Sequence, residues 1–175
     1  MADPELLGFA IHKMLRPEQR GDFQDLPQWR MGILQTLIQA EQASEFPTIV
    51  PMTLVNPDYF DEIIGGLTDS GIDVHHYALT APTEVIHDRL RRRVGYAVGR
   101  LVGADETWAM QQTERCVTAL GTDRFATHIA TEGRSVDTVV ELIADHAGLE
   151  LTHPRLTPLR YQLRRAAVGI RQIRI

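Results

Sequence analysis

Residues 50–67 read VPMTLVNPDYFDEIIGGL, and the fold turns on how this run divides. Its first half extends back to cover 47–55, PTIVPMTLV, which is short, apolar and β-branched, the pattern of a buried strand. Pro51 counts against it, because proline removes a ladder donor. The second half opens a helix. Asn56 stands at the cap, Pro57 at the first helical position, acids fill the first turn and glycines mark the end.

The same alternation runs outward in both directions. Downstream, IDVHHYALT (72–80) reads as a strand and residues 82–93 as a helix ending in RLRRR. A glycine-spaced stretch (95–103) leads into a helix over about 105–120, and FATHIAT (125–131) is a third strand. Ser135 caps a last helix to about Ala147, closed by Gly148. Upstream, Asp3 is a good N-cap with Pro4 behind it, and Leu6, Leu7, Ala10, Ile11, Met14 and Leu15 recur at helical spacing until Pro17. Residues 18–26 read as a loop. A second helix runs from Pro27 to about Ala43 with Trp29, Ile33, Leu34, Leu37 and Ile38 on one face. Strands alternating with helices predict an α/β fold built on a parallel sheet.

Composition narrows the class. At 175 residues, 43% apolar and 23% charged, the chain is an ordinary soluble domain with a real core. No apolar run approaches the ~20 residues that span a bilayer, and no signal peptide is visible. Cys116 is the sole cysteine, so an intrachain disulfide is impossible and a cytoplasmic setting is the default. Charge is unevenly spread: all 23 acidic residues lie at or before Glu150, and residues 151–175 carry six arginines and no acid.

The expected organisation is therefore an α/β domain over 1–150 and a basic amphipathic C-terminal helix over 151–175. In that tail Leu159, Leu163, Ala166, Ile170 and Ile173 form one stripe, and Arg160, Arg164, Arg165, Arg171 and Arg174 line much of the rest. Such a helix lies on an anionic membrane surface through residues 155–174, or packs on the acidic body of its own domain. Nucleic acid is a poorer partner, because the tail has one aromatic, Tyr161, and the body is acidic.

Ligands of open parallel sheets sit beyond the carboxyl ends of the strands. That rule selects Thr53 and Asn56, then Thr80, then Thr131, with Asp3 on the same edge. RLRRR and Arg115 offer cations to it, and clustered guanidinium groups suit a phosphorylated ligand. Each feature has a plainer meaning. Asp3 and Asn56 are also ordinary caps, RLRRR is also a solvated helix face, and Trp29 and Phe23 are also core residues. His75 and His76 are adjacent on a strand and point to opposite faces, and no histidine pair has metal-ligand spacing, so no metal site of protein ligands is expected.

VPMTLVNPDYFDEIIGGL followed by GIDVHHYALTAP resembles the central block of tunicamycin resistance proteins, P-loop kinase-like NTP-binding proteins. DPELLGFA, DFQDLPQWR, RLRRR, TWAMQQTERCVTAL and THIAT fit the same pattern. The resemblance implies a three-layer fold around a five-stranded parallel sheet, ATP with Mg²⁺, and resistance to a nucleoside antibiotic by phosphorylation or sequestration. It gives Asp3 the role of the carboxylate that accepts the substrate hydroxyl proton. It makes Arg89, Arg91 and Arg115 the phosphate-neutralising arginines, and it places Glu5, Phe23, Trp29 and Arg30, with Thr53 and Asn56, on the substrate side. The alternative is a non-catalytic antibiotic-binding or membrane-associated module without nucleotide binding.

One departure stands out. The family's first strand and its G-x-x-G-x-G-K-[ST] phosphate loop precede the DPE motif, and no G-x-x-x-x-G-K-[ST] occurs in this sequence. Lys13, the sole lysine, is followed by Met14 on a helix. The expectation is a sheet lacking its first strand, which lies between the third and fourth in this fold. A shortened polypeptide or a start codon assigned too late would account for it, and kinase-like phosphoryl transfer is the expectation if that loop is restored.

Overall fold

The structure is a computed structural model and describes residues 1–92, 108–125, 127–155, 157 and 160–161. The chain divides into two compact units, Met1–His76 and Tyr77–Ile175.

The first unit is built on two helices, α1 (Glu5–Met14) and α2 (Pro27–Gln42). Single turns at Pro17–Gln19 and Phe23–Asp25 fill the connection that the sequence marks as loop. Asn56 then caps a helical stretch made of α3 (Pro57–Phe60), a π-turn (Asp61–Gly65) and α4 (Gly66–Asp69). Ile11, Trp29, Ile33, Leu37, Leu54, Ile63 and Leu67 pack into one core. Ile63, at 0% exposure in the middle of the π-turn, is its tightest member and contributes about 1.5–3 kcal/mol by burial. The π-turn ends at Gly66, where an added Cβ would lie 2.7 Å from Leu34 Cδ2, so glycine permits close approach to α2.

The expected strand at 47–55 is corrected. Among the described residues it joins no ladder. Over 49–54 it is nonetheless one-sided, with Val50, Met52 and Leu54 turned to the core and Ile49, Pro51 and Thr53 exposed. The physical reason lies in its backbone. Pro47 and Pro51 have no N–H to give, the Ile49 carbonyl accepts the Ala2 N–H at 2.9 Å, and the Thr53 carbonyl accepts Gln24 Nε2 at 2.7 Å.

The second unit holds the sheet. β1 (Ala78–Thr80) pairs with β2 (His128–Ala130) in parallel, with Leu79 opposite Ile129. Both strands are shorter than the sequence suggests. Ile72 N–H is spent on the Leu67 carbonyl at 3.2 Å, closing the preceding helix. Asp123–Phe125 is a helical turn, and Thr127 at φ 32° breaks the extended run just before β2. Helices α5 (Thr83–Arg91), α6 (Trp108–Gln111), α7 (Thr113–Leu120) and α8 (Val136–His146) complete the described elements. The last behaves as the sequence indicates: Ser135 Oγ accepts the Thr138 N–H at 3.1 Å, and Gly148 at φ 66° ends it. The architecture is thus helix-rich α/β with a small parallel sheet.

No helix among the described residues is long and apolar enough to cross a membrane. The glycine-spaced stretch at 95–103, and most of the basic tail with its membrane-facing stripe, lie outside the described residues.

Candidate functional site

Two clusters carry the residues singled out above, one in each unit. In the first unit, Asp3 sits ahead of α1, where its Oδ1 accepts the Glu5 N–H at 3.2 Å. Glu5 is exposed on the first turn. Trp29 is a core residue at 1% exposure, with its indole N–H donating to the Pro4 carbonyl at 3.0 Å. Phe23 packs on Trp29 at 5.2 Å between ring centroids, and also against His12 and Phe9. Of the two meanings open to Trp29, packing supports core over stacking surface.

Arg30 has the most unusual setting in this unit. It is 8% exposed, deep for a guanidinium. Its Nε donates to Glu62 Oε2 at 2.6 Å, its Nη1 donates to the Gln24 carbonyl at 2.6 Å, and its plane lies 4.1 Å from the centre of the Tyr59 ring. Tyr59 in turn donates its phenolic O–H to Asp25 Oδ1 at 2.9 Å. That bond holds the Tyr59 pKa above its ordinary value, because ionisation would set phenolate against carboxylate. The chain of contacts ties the Phe23–Asp25 turn to the start of α3. Glu62 reaches Arg30 from within the π-turn, a local widening that often marks functional sites. Thr53 and Asn56 lead into α3. Asn56 Oδ1 accepts the Asp58 N–H at 2.8 Å and the Tyr59 N–H at 3.3 Å, so this oxygen serves as a helix cap.

In the second unit, Arg89 of α5 spans to Thr131, the first residue beyond β2. Nη1 donates to Thr131 Oγ1 and Nη2 to the Thr131 carbonyl, both at 2.8 Å. Thr131 N–H donates to the Thr80 carbonyl at 2.8 Å and Thr131 Oγ1 to the same oxygen at 3.1 Å. A guanidinium therefore stands at the carboxyl edge of the parallel pair, and among the described residues it makes no ion pair. Arg91 and Arg115 are exposed. Two residues on from Arg89, Arg91 lies on a different side of the helix. Arg92 is paired with Asp88 at 2.8 Å instead.

A small open pocket lies beside this edge, lined by Leu79, Thr80, Ala81, Ile86, Cys116, Val117 and Leu120. No three His, Cys, Asp or Glu side chains are arranged to hold a metal ion among the described residues. The buried setting of Arg30 was not visible beforehand, since its partner Glu62 lies 32 residues away.

No family model and no curated protein matches the chain. Among solved structures, the tunicamycin resistance protein of Deinococcus radiodurans matches with a TM-score of 0.70 and 33% identity. The match covers 87% of this chain and 84% of that one. Identity at this level, over this much of both sequences, places the chain in the tunicamycin resistance protein family.

Proposed function

We propose that this protein confers resistance to a tunicamycin-type nucleoside antibiotic with the help of ATP and Mg²⁺, by phosphoryl transfer to a small molecule or by ATP-dependent sequestration. The fold inferred around that activity is the three-layer P-loop kinase-like type. The observation that carries the resistance reading is the likeness to the Deinococcus protein over 87% of the chain. Arg89 supports the phosphate side, as a cation at the carboxyl edge of parallel strands with no carboxylate partner among the described residues.

The residues fit a phosphorylated ligand at one point. The Nε edge of the Arg89 guanidinium, with the Nη–H beside it, matches two phosphoryl oxygens, and its charge opposes what develops on a transferring group. ATP, when bound, supplies that group. Asp3 would accept the proton of the acceptor hydroxyl. Its carboxylate has about four lone-pair sites, one of which takes the Glu5 N–H at 3.2 Å. Arg30 would act within its own unit by fixing the Phe23–Asp25 turn and the Tyr59 ring. No metal ligand is assigned.

Expression in a tunicamycin-sensitive bacterium tests this. The unaltered chain should raise the inhibitory concentration of tunicamycin, and Asp3→Asn or Arg89→Gln, both made at exposed or half-exposed positions, should abolish the gain while the proteins accumulate to equal levels. A folded, abundant chain that leaves the inhibitory concentration unchanged refutes the proposal.

A further inference from the structure

We infer that Thr131 is a positioning residue that holds the two terminal nitrogens of Arg89 and so turns its Nε edge toward the phosphate-bearing ligand; this rests on the edge of β1 and β2 being a phosphate site, as proposed above. Three features combine. The Thr131 hydroxyl has a single hydrogen, and it points along the 3.1 Å contact to the Thr80 carbonyl. Its lone pairs are thereby turned outward, and one of them takes Arg89 Nη1 at 2.8 Å. The Thr131 carbonyl takes Nη2 at the same distance, so a single residue engages both arms of the fork.

The consequence is geometric. An exposed arginine ordinarily samples many rotamers, and ordering it costs free energy at the moment of binding. Here the guanidinium plane is pinned by two parallel bonds to a residue that is itself pinned to β1 by two more. The Nε side of the plane makes no hydrogen bond among the described residues and is left to face a ligand. Three N–H groups remain for that purpose out of five. Only a hydroxyl at position 131 can both donate to Thr80 and accept from Arg89. Serine preserves this, and valine keeps the shape while losing both bonds.

The test is a double-mutant cycle read by calorimetric titration of the full chain with ATP in the presence of Mg²⁺, and with adenosine as the phosphate-free control. Arg89→Gln should weaken ATP binding and leave adenosine unaffected. Thr131→Val should weaken ATP about fivefold to tenfold, the cost of ordering one long side chain on binding, and leave adenosine unaffected. In the Arg89→Gln background Thr131→Val should have no further effect, and with Arg89 intact Thr131→Ser should keep the unaltered affinity. If Thr131→Val fails to fold, Thr131→Ala against Thr131→Ser supplies the same comparison. An Arg89→Gln protein with undiminished ATP affinity, or an unaltered chain with no ATP binding, overturns the phosphate site itself. A protein weakened by Arg89→Gln but not by Thr131→Val, or weakened by Thr131→Val equally in both backgrounds, leaves that site standing and overturns the role of Thr131.

Discussion

Replacing Arg30 by methionine deletes one charged group from the first unit and keeps most of its apolar stem. The side chain is 10% exposed and its partner Glu62 is 40% exposed, and this asymmetry sets the magnitude. Losing the charged bond to Glu62 costs about 1.5–3 kcal/mol, and the Gln24 carbonyl left without its donor about 1–3 more. The stacking on Tyr59 adds roughly 0.5–1 kcal/mol. Against these stands the relief of holding a cation out of water, which is several kcal/mol for a buried ion. Glu62 rehydrates readily when released. The net expectation is a loss of about 2–3 kcal/mol. For a unit of this size, with m of about 1 kcal/mol per molar urea, the unfolding midpoint falls by about 2–3 M. Trp29 reports the transition by fluorescence once Trp108→Phe removes the other indole. Glu62→Gln alone should cost about 1–2 kcal/mol, and nothing further when added to Arg30→Met, because Glu62 acts through Arg30. An Arg30→Met protein within about 0.5 kcal/mol of its parent, or strict additivity in the double variant, would refute a buried clamp built on this guanidinium.

Gly8→Ala sets a Cβ 2.6 Å from the Phe23 ring, so it should destabilise by about 1–3 kcal/mol, whereas Gly21→Ala, which meets nothing within 4 Å, should be near neutral; thermal melts compare them. Glu141 accepts a forked pair of bonds from Arg155 at 2.7 and 2.6 Å, and that hydrogen bonding holds its pKa below the ordinary glutamate value. The stabilisation is therefore present above the unfolded-state pKa and lost as pH falls through the folded one, and carboxyl NMR titration should show the midpoint rising in Arg155→Gln. Tyr59 shifts the other way, so its neutral phenol stabilises up to the unfolded-state pKa and this is lost as alkali passes the folded one. Ultraviolet titration should show its ionisation moving to lower pH in Asp25→Asn.

What was legible in the sequence was local. The Asn56 and Ser135 caps, the Gly148 stop and the helix beginning at Pro27 depend on neighbours within a turn or two, and all stand where their residue types put them. Pairing was less legible, because a strand needs a partner that its own residues do not name. Residues 47–55 have strand-like burial and no ladder, while Thr127 at φ 32° is a torsion no propensity argument assigns to a β-branched residue. The strand-end rule reached Thr80 and Thr131 correctly as edge residues. In RLRRR the charge was evident, but which arginine meets Thr131 is set by helix phase and by a contact across 42 residues. Arg30 hid for the same reason. A burial of this depth follows only from the π-turn that delivers Glu62, and nothing periodic announces such a turn.

The unpaired stretch at 47–55 has two edges of unequal character, because successive residues of an extended chain aim their amides and carbonyls to opposite sides. On the odd-numbered side, Pro47 and Pro51 lack donors, and the oxygens of Ile49 and Thr53 are already claimed. On the even-numbered side, Thr48, Val50, Met52 and Leu54 make no main-chain bonds among the described residues. Free main-chain capacity in this stretch is thus confined to one flank, and the other refuses a partner strand. A strand pairing with this stretch could engage the even-numbered flank alone, which denies it the two-sided stacking that a fibril needs.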